Sequence, residues 1–356
     1  MRFGAIGLVL LAVFSTAPVI SDDHTKIPIK VVIVAMFDTG AATASGVGEF
    51  NRWVRGMPLD EELAFPLTGQ ELRINREQGV LGVVTGIGTI KATSTIMALG
   101  LDERFDLSKA YWMIAGISGI DPEDGSIGSA AWAEWVVDGD LAHHIDAREM
   151  PEGWKTGYVP LRREAPYEAP MPPAAQGYVF QLNPGLTEWA YQLTKDMELP
   201  DNEGMAQMRA KYTEHPVAQR PPFVLKGDQL AAMTYWHGDL MNNWANDWMA
   251  YWTGGKANFV TSAMEDSGSL YSLKMLDSVG KVDIDRVMVL RTASNYAMQY
   301  PGVTAEESLN GKNLPEGVAD AGFQPSLEAA YMVGRKVVDA LLADWGTVAD
   351  QIPTAP

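Results

Sequence analysis

With 356 residues, 47% of them apolar, a formal charge of −18 and no cysteine, the chain can bury a large core without a disulfide framework. The excess of carboxylates repels phosphate backbones and excludes nucleic acid as a partner, so an anionic ligand has to be met by a local basic or backbone site. One elaborated domain over residues 22–356 is expected behind a leader at 1–21.

The leader reads as a cleavable signal. Arg2 supplies a positive start, Ala5 to Phe14 form an uncharged apolar run, and Val19-Ile20-Ser21 offers small residues where a signal peptidase cuts. The run is too short for a hydrocarbon core of roughly 30 Å, which takes about 20 residues. A periplasmic or secreted location follows, an uncleaved anchor being the alternative. After Asp22 every apolar stretch is broken by charge, Gly or Pro, which excludes a channel or carrier.

Lys30 to Met36 is a β-branched run that reads as a buried parallel strand. Val80 to Val84 is a second, followed by Thr85-Gly86-Ile87-Gly88-Thr89 and a helical stretch from Ile90 to Leu101. Strand, glycine turn and helix make a βα unit. Tyr111 to Ala115 repeats the pattern and ends in Gly116-Ile117-Ser118-Gly119. Ala130 to Val137, Asn258 to Ser262 and Arg286 to Thr292 are further strands. Between Pro151 and Pro222 the prolines Pro166, Pro170, Pro172, Pro173 and Pro221 point to a loop-rich surface insertion. Trp236, Trp244, Trp248 and Trp252 fall at spacings of eight, four and four, three of them on one helical face that reads as core or as a lid, with base stacking the lesser alternative. Ser326 to Leu342 forms a closing helix, and the tail from Ile352 should fray.

The glycine-rich strand ends at Gly40, Gly86/Gly88 and Gly116/Gly119 would meet at the carboxyl edge of a parallel sheet, where ligands bind. A dinucleotide is not expected, because Lys91 stands where the third glycine of the fingerprint belongs. Met264-Glu265-Asp266-Ser267-Gly268 sets two carboxylates at a strand end, suited to a sugar diol or to the start of a helix. Ser294-Asn295 offers a donor and an acceptor on one planar group, which suits a purine edge or an ordinary turn. His143-His144 with Asp146 reads as structural or surface, and no metal site is expected. No G-x-S-x-G is present, which weakens acyl transfer.

Ala35-Met36, Thr85 to Gly88, Ala115 to Ile120, Gly227-Asp228-Gln229, Met264-Glu265 and Ser294-Asn295 together resemble, in order, the nucleoside phosphorylase and nucleosidase superfamily. Within it, Ala115 to Asp121, Ile145 to Pro160, Met264 to Gly268 and Arg291 to Gly302 resemble the purine nucleoside permease family. The resemblance implies an α/β single domain with a mixed, partly barrel-like central sheet flanked by helices. It implies nucleoside contacts from Gly116, Ile117, Ser118, Gly119, Met264, Glu265, Asp266 and Ser294, with Glu265 on the ribose hydroxyls and Asn295 on the base. Asp38 and Glu49 would lie where water or phosphate attacks.

Two departures bear on catalysis. Many nucleosidases of the superfamily carry an aspartate where Asn295 stands, and an asparagine cannot hand over a full proton. The glutamates that follow their first strand are here Phe37-Asp38-Thr39, so activating water falls to Asp38 or Glu49, or is missing. Two functions remain open: a purine nucleoside-binding protein serving uptake, with hand-off to an inner-membrane transporter, or an enzyme cleaving the N-glycosidic bond. No cofactor is expected beyond inorganic phosphate as a co-substrate, and relatives' habits leave room for a homo-oligomer.

Overall fold

The computed structural model describes residues 26–39, 47–169 and 179–355. The expected signal, Gly40, Pro170, Pro172 and Pro173 lie outside these residues.

Twelve strands share the main sheet: β1 (Val31–Ala35), β2 (Glu61–Phe65), β3 (Gln70–Asn75), β4 (Val80–Val84), β5 (Tyr111–Ile120), β6 (Ala130–Ala133), β7 (Trp135–Asp138), β8 (Val179–Gln181), β9 (Val224–Lys226), β10 (Asp228–Ala231), β11 (Phe259–Ala263) and β12 (Val287–Tyr296). The helices that bear on it are α1 (Asn51–Gly56), α2 (Thr89–Gly100), α3 (Pro184–Thr194), α4 (Glu203–Arg209), α5 (Asp239–Thr253), α6 (Asp266–Asp277), α7 (Ala305–Leu309) and α8 (Phe323–Ala343). The main path runs β8-β7-β10-β11-β5-β1-β4-β3-β2. β1 and β4 are buried along their whole length and pair in parallel, as their continuous apolar runs require.

Alternation along β1 divides the core. Val32 and Val34 face the side covered by Ile96 and Leu99 of α2 and Leu270 and Leu273 of α6. Val31, Ile33 and Ala35 face Trp53 of α1, Leu186 of α3 and Val333 and Val337 of α8. Truncating a large residue here, such as Ile33 or Leu273, to alanine typically costs about 2–5 kcal/mol.

The sheet also closes on itself. β5 pairs in parallel with β12 along its length and antiparallel with β11 at Gly119 and Ile120. β12 pairs with β6, β7 with β10, and β10 with β11. One expected strand, Ala130 to Val137, is thus two, broken at Glu134 so that each half joins a different neighbour. The Asp228 carboxylate holds this corner, accepting from Glu134 N at 3.1 Å and Trp135 N at 2.8 Å on one oxygen and from Asn258 N at 2.9 Å on the other. The partly barrel-like sheet is this circuit of β5, β12, β6/β7, β10 and β11.

Three expectations change. β5 does not stop at Ala115 but runs through Gly116–Gly119, because β12 pairs with it throughout. The stretch 151–222 is not only loop: Asn183 caps α3, accepting from Gly185 N and Leu186 N, with Pro184 in the first turn, where a missing N–H costs nothing. The tail beyond α8 does not fray at Ile352, which packs against the Leu186 and Val333 side of the core. Trp244, Trp248 and Trp252 of α5 are buried together as core, and no helix among the described residues is long and apolar enough to cross a membrane.

Candidate functional site

The carboxyl ends of β1, β4, β5, β11 and β12 surround a cavity of about 160 Å³. Among its lining residues are Met36, Phe37, Glu49, Ile117, Ser118, Gly119, Met264, Glu265, Arg291, Ser294 and Asn295. Glu265, at the start of α6, and Asn295, on β12, 30 residues apart in sequence, therefore face one space.

One end is charged. Arg291 lies in the apolar run of β12 and is 1% exposed. A buried guanidinium must be paired, and Asp266 grips it in a fork, with Nη2 to Oδ1 at 2.7 Å and Nε to Oδ2 at 3.0 Å. Nη2 also reaches Glu265 Oε2 at 3.4 Å, and Nη1 donates to Ile117 O at 3.2 Å. Burial opposes the charge on Arg291, but the carboxylates of Asp266 and Glu265 more than offset it and hold the guanidinium above its ordinary pKa.

Glu265 begins α6 yet caps a different helix. Its Oε1 accepts from Gly88 N at 2.9 Å at the start of α2. Gly88 has φ +96°, a backbone region that glycine enters without penalty, and this turns its N–H toward the carboxylate. Burial raises the pKa of Glu265 while Arg291 and the Gly88 N–H oppose the rise.

Glu49 reaches the same end from the segment before α1. Its Oε2 accepts from Met36 N at 2.7 Å and its Oε1 from Ile117 N at 2.8 Å. Burial pushes its carboxyl up to about 7, against the pull of Arg291 and these two amides. Gly116 lies beneath: a Cβ there would come within 2.0 Å of Met36 Cε and 2.4 Å of Glu49 Oε1. Glycine at 116 makes room for the carboxyl rather than forming a ligand loop.

The other end is neutral. Asn295 Nδ2 donates to Tyr235 Oη at 3.1 Å and to Tyr296 O at 3.0 Å, and its Oδ1 accepts from Ser294 Oγ at 3.0 Å. Both Nδ2 hydrogens are engaged, so the remaining capacity of this amide is one lone pair on Oδ1, directed to an incoming N–H. Pairing of β12 with β5 slips between Ala293 and Asn295, a bulge that brings Ser294 and Asn295 to the lining side by side.

Of the expected site residues, Glu49, Ile117, Ser118, Gly119, Met264, Glu265, Ser294 and Asn295 line the cavity. Three stand back from it. Asp266 is 0% exposed and its carboxylate is committed to Arg291, since adjacent residues at a helix start point in different directions. Asp38 pairs with Gly48 in a two-residue ladder, leaving Phe37 at the lining. Gly116 lies under Glu49, as described. Arg291, Phe37, Ile87 and Tyr235 line the cavity without having been expected there. A lone arginine inside the apolar run Val287 to Ala293 was the available signal for the first of them. His143 and His144 are exposed on a short strand, His144 lying 4.6 Å from the Tyr158 ring.

A sequence model described as purine nucleoside permease matches residues 28–353. The probable purine nucleoside permease of Schizosaccharomyces pombe is 30% identical, over 89% of this chain and 90% of its own length. The purine nucleoside permease of Candida albicans is 27% identical, over 90% of this chain and 76% of its own. Futalosine hydrolase of Helicobacter pylori superposes with a TM-score of 0.53 at 15% identity, over 88% of this chain and 98% of that one. The 5′-methylthioadenosine/S-adenosylhomocysteine nucleosidase of the same organism gives 0.50 at 13%, over 90% and 100%. The solved structures share the nucleosidase fold, and the match across nearly the whole length of the described domain makes the chain a member of the purine nucleoside permease family.

Proposed function

We propose that this chain is an exported purine nucleoside-binding protein that supports nucleoside uptake, capturing its ligand outside the membrane and passing it to a separate transporter. The observation that carries the reading is the single cavity lined by both Glu265 and Asn295. An ionised Glu265, held by Gly88 N and Arg291, keeps lone pairs for two neighbouring hydroxyls of a ribose. Asn295 Oδ1 meets a purine N–H, and once Tyr235 turns aside the same amide also donates, matching the edge of a 6-oxopurine. The relatives' names support a nucleoside as ligand. Export rests on Arg2, the Ala5 to Phe14 run and the small residues at Val19 and Ser21.

One observation favours a second reading, cleavage of the N-glycosidic bond. Glu49 faces the cavity with a carboxyl pushed up to about 7, suited to a general base near neutral pH. The bond would break through an oxocarbenium-like state, which Glu265 stabilises electrostatically. Against it stands Asn295, which lacks a proton to give the departing base.

Purified protein incubated with inosine, guanosine and adenosine, with and without phosphate, separates the readings. Binding seen by calorimetry with no free base is the expected result. Base released only with phosphate means phosphorolysis, and release without it means hydrolysis. Absence of any binding overturns the nucleoside assignment. Sequencing the N-terminus of secreted protein tests export, an intact Met1 being the contrary result.

A further inference from the structure

A second cavity lies beyond Asn295. It measures about 400 Å³ and shares Tyr235, Ser294 and Asn295 with the inner one, but none of the charged residues at the Glu265 end. Ligand sites typically span about 300–1,000 Å³. The inner cavity, at about 160 Å³, falls below that range alone and enters it with the outer chamber added.

The outer walls define what would fit. Its lining is mixed and more polar than apolar, Ile127, Met208, Leu314 and Phe323 alternating with uncharged polar groups such as Tyr212, Ser308 and Asn310, and no lysine or arginine is among its lining residues. Its one carboxylate, Asp320, is exposed. The lining histidine, His237, is held below its ordinary pKa by burial and is engaged with Ser308 Oγ at 3.0 Å, so it stays uncharged at neutral pH. A phosphate or carboxylate entering here would meet Asp320 without a counter-charge. An uncharged group meets no such cost.

Tyr235 is the partition. It borders both chambers, its hydroxyl is held by Asn295 Nδ2 at 3.1 Å, and it is 54% exposed, so little packing resists its rotation. Phe37 of the inner chamber stacks on Phe323 of the outer one at 6.2 Å and 24°, giving the two a common aromatic wall.

We propose that the ligand class of this protein is purine nucleosides bearing a bulky uncharged substituent on the base, with the sugar at Glu265, the purine at Asn295 and the substituent in the outer chamber once Tyr235 swings aside. The assignment rests on the nucleoside reading above.

Calorimetric titration with adenosine, N6-methyl-, N6-propyl- and N6-benzyladenosine tests it. Affinity should rise along the series, by at most about fourfold for each methylene buried. Ala319→Phe, which narrows the outer chamber alone, should abolish that gain and leave adenosine unchanged. Ser308→Trp does the same from α7, so one misfolded variant does not end the test. Equal affinity across the series, or a gain that survives in both folded variants, overturns the proposal. A gain found instead with 5′-substituted adenosines overturns it too, because it would put the sugar beside Asn295. If no nucleoside binds at all, the underlying reading has failed rather than the placement of the substituent.

Discussion

The two ends of the inner cavity are built in opposite ways. At one, Arg291, Asp266, Glu265 and Glu49 are 0–4% exposed; Asp266 and Glu265 pair with Arg291, and Glu49 is held by the Met36 and Ile117 amides. At the other, Asn295 is half-buried, Tyr235 is about half exposed, and the hydrogen bonds join neutral groups. Under the proposed reading, a preorganised charged end suits the part of a ligand that never varies, the ribose diol. A yielding neutral end suits the part that does, the base and whatever it carries.

That contrast can be broken most severely at Arg291. Arg291→Met strands two buried carboxylates and should destabilise the fold by about 3–5 kcal/mol in urea titration. Stability near wild type would mean that the charged end is not preassembled.

Glu49 sharpens the comparison through pH. Its native pKa is raised from 4.5 to about 7, so the folded state favours the protonated carboxyl; that contribution is complete below pH 4.5 and is lost as pH climbs through 7. Relative to Glu49→Gln, the wild type should lose up to about 3 kcal/mol across that window and run parallel above it, measured by denaturant midpoints at successive pH values. Parallel curves throughout would remove Glu49 from the titrating end.

Glu265→Ala should weaken adenosine binding by about 10- to 100-fold, the worth of hydrogen bonds to a charged group. Unchanged affinity by calorimetry would take this residue out of the sugar site. The smallest effect belongs to the neutral end: Tyr235→Phe removes one half-exposed hydrogen bond and should change adenosine affinity by less than about 1 kcal/mol. A loss as large as that of Glu265→Ala would make the two ends equivalent and erase the distinction.

Legibility in the sequence followed the same divide between regular and assembled structure. Val31–Ala35 and Val80–Val84 stand out because strands buried on both faces read as unbroken apolar runs. Glu265 and Asn295 stand out because polar groups at strand ends must answer to something. Asp266 was misplaced because sequence adjacency hides direction, one carboxylate facing the cavity and the next facing Arg291. The lone Arg291 in an apolar run signals a buried charge, but its partner Asp266 follows only from the packing of β12 against α6, and Tyr235 lies on a loop with no periodic pattern. The helix Pro184–Thr194 was masked by the prolines around it, although Asn183-Pro184 carried an ordinary start signal.

The slip in pairing between Ala293 and Asn295 has a consequence for how this protein could acquire new preferences. In an unbroken strand neighbouring side chains leave on opposite faces, so Ser294 and Asn295 could not both look into one hollow. The extra residue works as a swivel in the chain: upstream of it the guanidinium anchor stays put, while downstream the recognition tip can be re-aimed or exchanged without disturbing that anchor. Under the proposed reading, a change of base preference would need only substitutions past position 293, leaving Arg291 and its pairing with Asp266 and Glu265 intact.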